Sequence, residues 1–243
     1  MRLLIIRHAD PDYSIDSLTE TGWKEAELLA DKMVHIKAKD YYVSPLGRAK
    51  DTASCTLKRL GREPIICDWL QEFPALVKRP DLNGERSCAW DWLPEDWSQR
   101  AKLLDRSQWK EVSELKEARV GEQYEEVCRQ FDALLKEHGY ARDGLLYRVE
   151  NSNEDTLVFF CHFGLECVLL SHLMNSSPYV LWQGFCAAPS SVTTVYTEER
   201  REGIASFRAQ SLGDISHLYV AGREPSFAAR FCETYERKDQ RHD

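Results

Sequence analysis

Uninterrupted apolar chain is scarce at the start of this sequence. The run Leu3 to Ile6 stops at Arg7, too short for the apolar segment of a signal peptide or for a membrane span. The expectation is a cytoplasmic protein with no membrane partner. Cysteines at metal or redox spacing are also lacking: none of the eight forms a Cys-x-x-Cys pair. In a chain of 243 residues they read as buried reduced thiols rather than as a disulfide framework. Excess positive charge is missing too. Forty acidic against 32 basic side chains leave a formal charge of -8, which repels nucleic acid and anionic surfaces. An anion site must therefore be a focused pocket. Internal repeats and low-complexity tracts are absent, and 43% hydrophobic content is enough to build a core, so a compact enzyme is the starting point.

Short apolar runs alternate with stretches of helical periodicity, the pattern of strands covered by helices. Leu3 to Ile6 reads as the first strand. A helix with a stripe of Trp23, Ala26, Ala30 and Met33 follows, capped by Thr19. Tyr41 to Val43 reads as the second strand, after which Ser44 suits an N-cap and Pro45 the first helical position. That helix carries Ala49, Thr52, Ala53, Thr56, Leu57 and Leu60 on its buried face, and Ile65 to Cys67 reads as a short strand. From about 73 to 121 the pattern breaks into a polar stretch with Trp90, Trp92, Trp97 and Trp109, read as an insertion whose aromatic residues anchor it to the domain beneath. Helical periodicity returns at Tyr124 and ends near Gly139, followed by a polar connection to Asn153. Leu157 to Cys161 is a buried strand, and Ser191 to Thr197 with Ile204 to Leu212 close the sheet as a pair. The fold class expected is α/β: one domain over 1–243, a three-layer α/β/α sandwich around a mostly parallel sheet, with the cap-like insertion at about 73–121.

Arg7 and His8 stand directly after the first strand, and His162 directly after another. In open α/β sheets ligands bind just beyond such carboxyl ends. Ser44 to Arg48 open a helix after a strand and bring a guanidinium close to unpaired backbone amides and a positive dipole end. Such a site suits a tetrahedral anion. An imidazole attacks phosphorus only through an unprotonated nitrogen, and neighbouring arginine charge favours the neutral ring. Arg7 and Arg48 would hold the phosphate oxygens and neutralise charge on them in the transition state. The leaving group needs a proton, and Glu72, just past the third strand, is placed to give it.

These residues resemble the motifs of the histidine phosphatase, or phosphoglycerate mutase-like, superfamily. Its Arg-His-Gly appears as Arg7-His8-Ala9. Leu18, Thr19 and Gly22 are similar to its Leu-Thr-x-x-Gly, and Ser44, Pro45, Arg48, Ala49, Thr52 and Ala53 are similar to its Ser-Pro-x-x-Arg-Ala-x-x-Thr-Ala. Leu70-Gln71-Glu72 resembles the Leu-x-Glu of the usual acid, Gly121-Glu122 the start of a Gly-Glu-Ser, and His162-Phe163-Gly164 the segment of the second histidine. The resemblance implies that His8, Glu72 and His162 are catalytic, with Arg7, Arg48 and His162 binding phosphate. It implies no metal and no organic cofactor.

Three departures stand out. Ala9 replaces a glycine, and its methyl is expected to be tolerated. Asp10 to Tyr13 replace the serine and asparagine of the mutase branch, and Phe73-Pro74-Ala75 follow the acid in an unfamiliar frame. The expected function is hydrolysis of a small phosphorylated metabolite through a phosphohistidine. The alternatives are a phosphoglycerate mutase and a phosphate-ligand sensor without turnover. His217 is expected to make a plain hydrogen bond.

Overall fold

The computed structural model describes residues 1–228 and 230–242. In chain order the strands are β1 Arg2–Arg7, β2 Pro11–Asp12, β3 Ser17–Leu18, β4 Asp40–Val43, β5 Ile65–Ile66, β6 Leu76–Lys78, β7 Arg86–Cys88, β8 Tyr140–Asp143, β9 Leu146–Val149, β10 Thr156–Cys161, β11 Val192–Arg201 and β12 Ile204–Asp214. The helices are α1 Glu20–Met33, α2 Gly47–Leu60, α3 Pro94–Trp97, α4 Ser113–Glu117, α5 Val120–Glu137, α6 Phe163–Met174, α7 Pro178–Gly184 and α8 Ser216–Val220. One eight-stranded sheet has the order β5-β4-β10-β1-β11-β12-β9-β8.

The sheet is mixed. β5, β4, β10 and β1 pair in parallel, whereas β11, β12, β9 and β8 continue it antiparallel. The expectation of a mostly parallel sheet thus describes the half that ends at Arg7 and Cys161. The other half is built from hairpins, which need only tight turns where parallel strands need crossover helices.

Strand alternation creates the layers. On β1, Leu3 and Ile5 join the core formed with α5, α6, α7 and the 73–121 segment, while Leu4 and Ile6 join the core with α1 and α2. β10 divides in the same way, Leu157 and Phe159 to one face, Val158 and Phe160 to the other. Both faces are covered, which is why these strands read as continuous apolar runs.

Local signals account for most boundaries. Thr19 caps α1, its hydroxyl accepting from the Gly22 amide at 3.0 Å. Gly61 ends α2 in the left-handed region. Three readings need correction. Trp23 lies off the buried stripe of α1 and is exposed, whereas Leu29 is the large core residue there. α2 starts at Gly47 with Leu46 as N-cap, so Ser44 is not its cap. The polar connection before Asn153 contains the β8–β9 hairpin.

The 73–121 segment forms the β6–β7 hairpin, α3, α4 and short 3-10 turns. Trp92 and Trp109 are buried, and Trp90 and Trp97 pack on the same core. No helix among the described residues is long and apolar enough to cross a membrane. Cys55, Cys128, Cys161 and Cys167 are buried thiols as expected, whereas Cys67, Cys88 and Cys232 are half-buried and Cys186 is exposed.

Candidate active site

Parallel pairing of β1 with β10 sets Arg7 opposite Cys161, so the next residues, His8 and His162, leave the sheet side by side. Their ring centroids are 5.1 Å apart. Both histidines are buried. His8 Nδ1 lies 2.8 Å from the carbonyl oxygen of Ala9. A carbonyl only accepts, so Nδ1 carries the proton and Nε2 holds a lone pair. Burial, then the charge of Arg7, lowers the His8 pKa to about 3. Burial and the charges of His8, Arg48 and Arg7 hold His162 well below its usual value as well.

Ala9 makes the glycine departure harmless. Its amide donates to the Thr52 hydroxyl at 3.0 Å, and its methyl packs with Leu18, Ala26, Ala30 and Cys55. Its φ is not positive, so the side chain adds no backbone strain.

Arg7 donates through Nη1 to the Ala187 carbonyl at 2.5 Å, and its guanidinium carbon lies 5.8 Å from the Phe163 ring centroid. Arg48, in the first turn of α2, donates through Nη1 to Asp16 Oδ1 at 2.6 Å. Asp16 Oδ2 also accepts from the Gly47 amide at 2.7 Å. Close approach explains the glycine: a Cβ at Gly47 would lie 2.0 Å from the Asp16 carbonyl oxygen. Among the described residues, Arg7 Nε, Arg48 Nε and His162 Nδ1 are buried without a hydrogen-bond partner. Unpaired buried polar atoms are costly, and these, on two arginines and a histidine beside His8, form a site suited to an acceptor-rich anion.

Glu72 follows the 3-10 turn Asp68–Leu70 and reaches the N-terminus of α6. Its Oε1 accepts from Phe73 and Leu165 amides at 2.8 and 3.0 Å, and Oε2 from the Gly164 amide at 3.3 Å. Burial raises its pKa above the ordinary carboxyl value, although these three amides pull the other way. Gly164 is required here too, because a methyl on it would lie 2.3 Å from Trp90 Cη2 and 2.8 Å from Glu72 Oε1.

The structure therefore brings Arg7, His8, Arg48, Glu72 and His162 around one crevice. It does not add Glu122, which is exposed in the first turn of α5 and ion-paired with Arg119. His217 makes its plain hydrogen bond, to Ser190 Oγ at 3.0 Å.

Several features around these residues escaped the sequence. Ser44 Oγ lies 2.7 Å from His162 Nε2, across 118 positions of sequence. Asp16 sits in the β2–β3 turn with φ of 47°. Glu166, buried on α6, is pushed up to about 7 by burial. An acidic residue in a turn or in a first helical turn carries no local mark of such roles. Among the described residues no group of three possible metal ligands occurs.

Two buried histidines and Arg7 at the carboxyl ends of parallel strands, with Arg48 in the first turn of α2, form an arrangement suited to phosphoryl transfer. The chain belongs to the Histidine phosphatase superfamily (branch 1), whose sequence profile it matches over residues 3–210, and this membership supports a hydrolase acting on phosphomonoesters. It is similar in fold to a phosphoserine phosphatase mutant from Entamoeba histolytica crystallised with phosphoserine: TM-score 0.60, 16% identity, covering 89% of this chain and 98% of that one. It is also similar to a mycobacterial glucosyl-3-phosphoglycerate phosphatase in complex with VO3: TM-score 0.53, 20% identity, covering 87% and 98%. A third structure, mycobacterial hydrolase 1, has TM-score 0.57 and 18% identity over 88% and 98%. No curated protein matches in sequence.

Proposed function

We propose that the protein hydrolyses a small phosphorylated metabolite through a phosphohistidine on His8. The observation that carries this reading is the His8 ring itself, buried and neutral between Arg7 and His162, with its lone pair on Nε2. In the first half, Nε2 attacks phosphorus, the N–P bond forms, and the bond from phosphorus to the leaving oxygen breaks. Glu72 gives its proton to that oxygen. Its Oε2, with one long contact, has room to carry it. In the second half, the Glu72 carboxylate takes a proton from water, the water oxygen attacks phosphorus, and the N–P bond breaks. Inorganic phosphate leaves and the neutral imidazole returns.

Arg7, Arg48 and His162 bind the phosphoryl oxygens in this reading, meeting charge that spreads over them in the transition state. Asp16 aims Arg48, and Ser44 orients His162. A cytoplasmic location belongs to the same reading and is supported by the buried thiols.

The test is phosphate release from a panel of phosphomonoesters by wild type and His8→Ala. Turnover should fall about a thousandfold or more in the variant. Activity that survives would remove His8 as nucleophile. Isomer exchange of phosphoglycerate without phosphate release would favour a mutase, and binding with no turnover a sensor.

A further inference from the structure

Beside the phosphate pocket lies a cavity of about 590 Å³ whose walls include Trp90, Trp97, Phe163, Trp182, Phe185 and Phe231. Its size is that of a small-molecule site. Two features join it to the chemistry. Phe163 directly follows His162 and faces the Arg7 guanidinium. The edge of Trp90 and Oε1 of Glu72 meet at Gly164, so the aromatic wall packs against the residue whose amide holds the proton donor. Chain leaving phosphorus on that side enters an aromatic enclosure.

The rings are arranged as a box. Trp90 and Trp182 have centroids 5.7 Å apart, and Trp90 meets Phe163 edge-on at 6.5 Å. Polar groups on the wall are already engaged. Arg230 pairs with Glu233, and Asp91 accepts from Ser87 Oγ at 2.9 Å. Gln183 Nε2 donates to the Trp90 carbonyl at 2.9 Å, and His242 Nε2 lies 2.8 Å from the Arg237 carbonyl oxygen. A carboxylate on the substrate would have to share Arg230 with Glu233 and would face the negative charges of Glu233 and Asp91 on the same wall. An uncharged ring loses nothing on entering and buries its whole face.

We propose that the substrates are phosphomonoesters of uncharged, aromatic alcohols, with the ring held in this cavity and the phosphoryl group at His8. The proposal rests on the phosphatase reading above and narrows it to a substrate class. Trp90 sets the distance between the ring and Glu72. The P–O bond that breaks is the one to the benzylic-type oxygen, which takes the Glu72 proton.

The experiment compares 2-naphthylmethyl phosphate with phosphoserine and methyl phosphate, all three being esters of alkyl alcohols, so that phenol leaving-group reactivity does not enter. The expected kcat/KM is about a hundredfold higher for the naphthylmethyl ester, the scale of burying one ring system. Phe185→Ala, at the exposed edge of the cavity, should shrink that selectivity ratio about tenfold, mainly through KM. Phosphoserine turned over as well as the naphthylmethyl ester, or a Phe185→Ala ratio equal to wild type, overturns the proposal.

Calorimetric titration with 2-naphthylmethylphosphonate and methylphosphonate reads the cavity without turnover. Tighter binding of the naphthyl compound, weakened by Phe185→Ala, supports it, and equal binding overturns it. If no ester is hydrolysed, the phosphatase reading fails, and this titration alone judges the substrate class.

Discussion

His8 Nδ1 donates to the carbonyl oxygen of Ala9, its immediate neighbour, at 2.8 Å. This contact fixes the tautomer and leaves Nε2 as the atom able to form a bond to phosphorus. Burial and Arg7 then keep that atom unprotonated down to about pH 3. The nucleophile is thus ready throughout mild acid, and the upper pH limit of turnover falls to the group that must hold a proton, Glu72.

Glu72→Gln keeps the shape of the side chain at the start of α6 and removes the proton. Hydrolysis of an alkyl phosphate should fall by about a hundredfold to ten-thousandfold. With 4-nitrophenyl phosphate, whose leaving group departs without a proton, the loss should be much smaller. Equal losses on both esters would assign Glu72 a structural role. In the wild type, kcat/KM should decline as pH rises through the raised Glu72 pKa, a limb that the Gln variant lacks.

Asp16 is predicted to act through Arg48. Burial pushes its carboxyl up, but the Gly47 and Arg48 hydrogen bonds outweigh this and hold it below the ordinary range. The bonding contribution is therefore present above the unfolded carboxyl pKa and is lost as pH falls through the folded one. Asp16→Ala should lower kcat/KM about tenfold at neutral pH, chiefly through KM, because Arg48 is no longer aimed. Arg48→Lys, which loses the planar fork, should lower it about a hundredfold. Steady-state kinetics on the two variants checks the order of the effects.

His217 gives a test of acid stability away from the crevice. Burial, then the charge of Lys32, lowers its pKa to about 4. An unfolded histidine takes up a proton below about pH 6.5 while this one does not, so its presence destabilises the fold progressively as pH falls from about 6.5 to about 4. His217→Gln should remove about 2 kcal/mol of the stability difference between pH 7 and pH 5. Urea unfolding at the two pH values measures it, and an unchanged pH dependence would place the proton uptake elsewhere.

Much of the crevice was legible because β1 and β10 are buried on both faces. Their apolar runs end abruptly at Arg7-His8 and at His162, which marks the strand ends without any tertiary information. Partners supplied from afar were hidden. Ser44 looked like a helix cap because of its place before Pro45, yet its hydroxyl lies 2.7 Å from His162 Nε2 and accepts from the Leu46 amide, ahead of the helix proper. The β8–β9 hairpin was missed because its strands are four residues each, with Arg142, Asp143 and Gly144 interrupting the apolar alternation. Trp23 fitted the helical spacing of α1, but its face is turned to solvent, where only packing decides. The aromatic cavity depends on Trp90, Phe163 and Phe231 meeting from three separate segments, which no local pattern encodes.

The central claim is a phosphoryl group carried on Nε2 of His8. The most direct measurement is to mix the enzyme with a turned-over phosphomonoester, quench in alkali, and locate the label by peptide mass spectrometry and phosphorus NMR. The account predicts one phosphoryl group, on the peptide containing His8, with the chemical shift of an Nε2-phosphohistidine, and none on His8→Ala. Label on another residue, or steady phosphate release with His8 never phosphorylated, would contradict it.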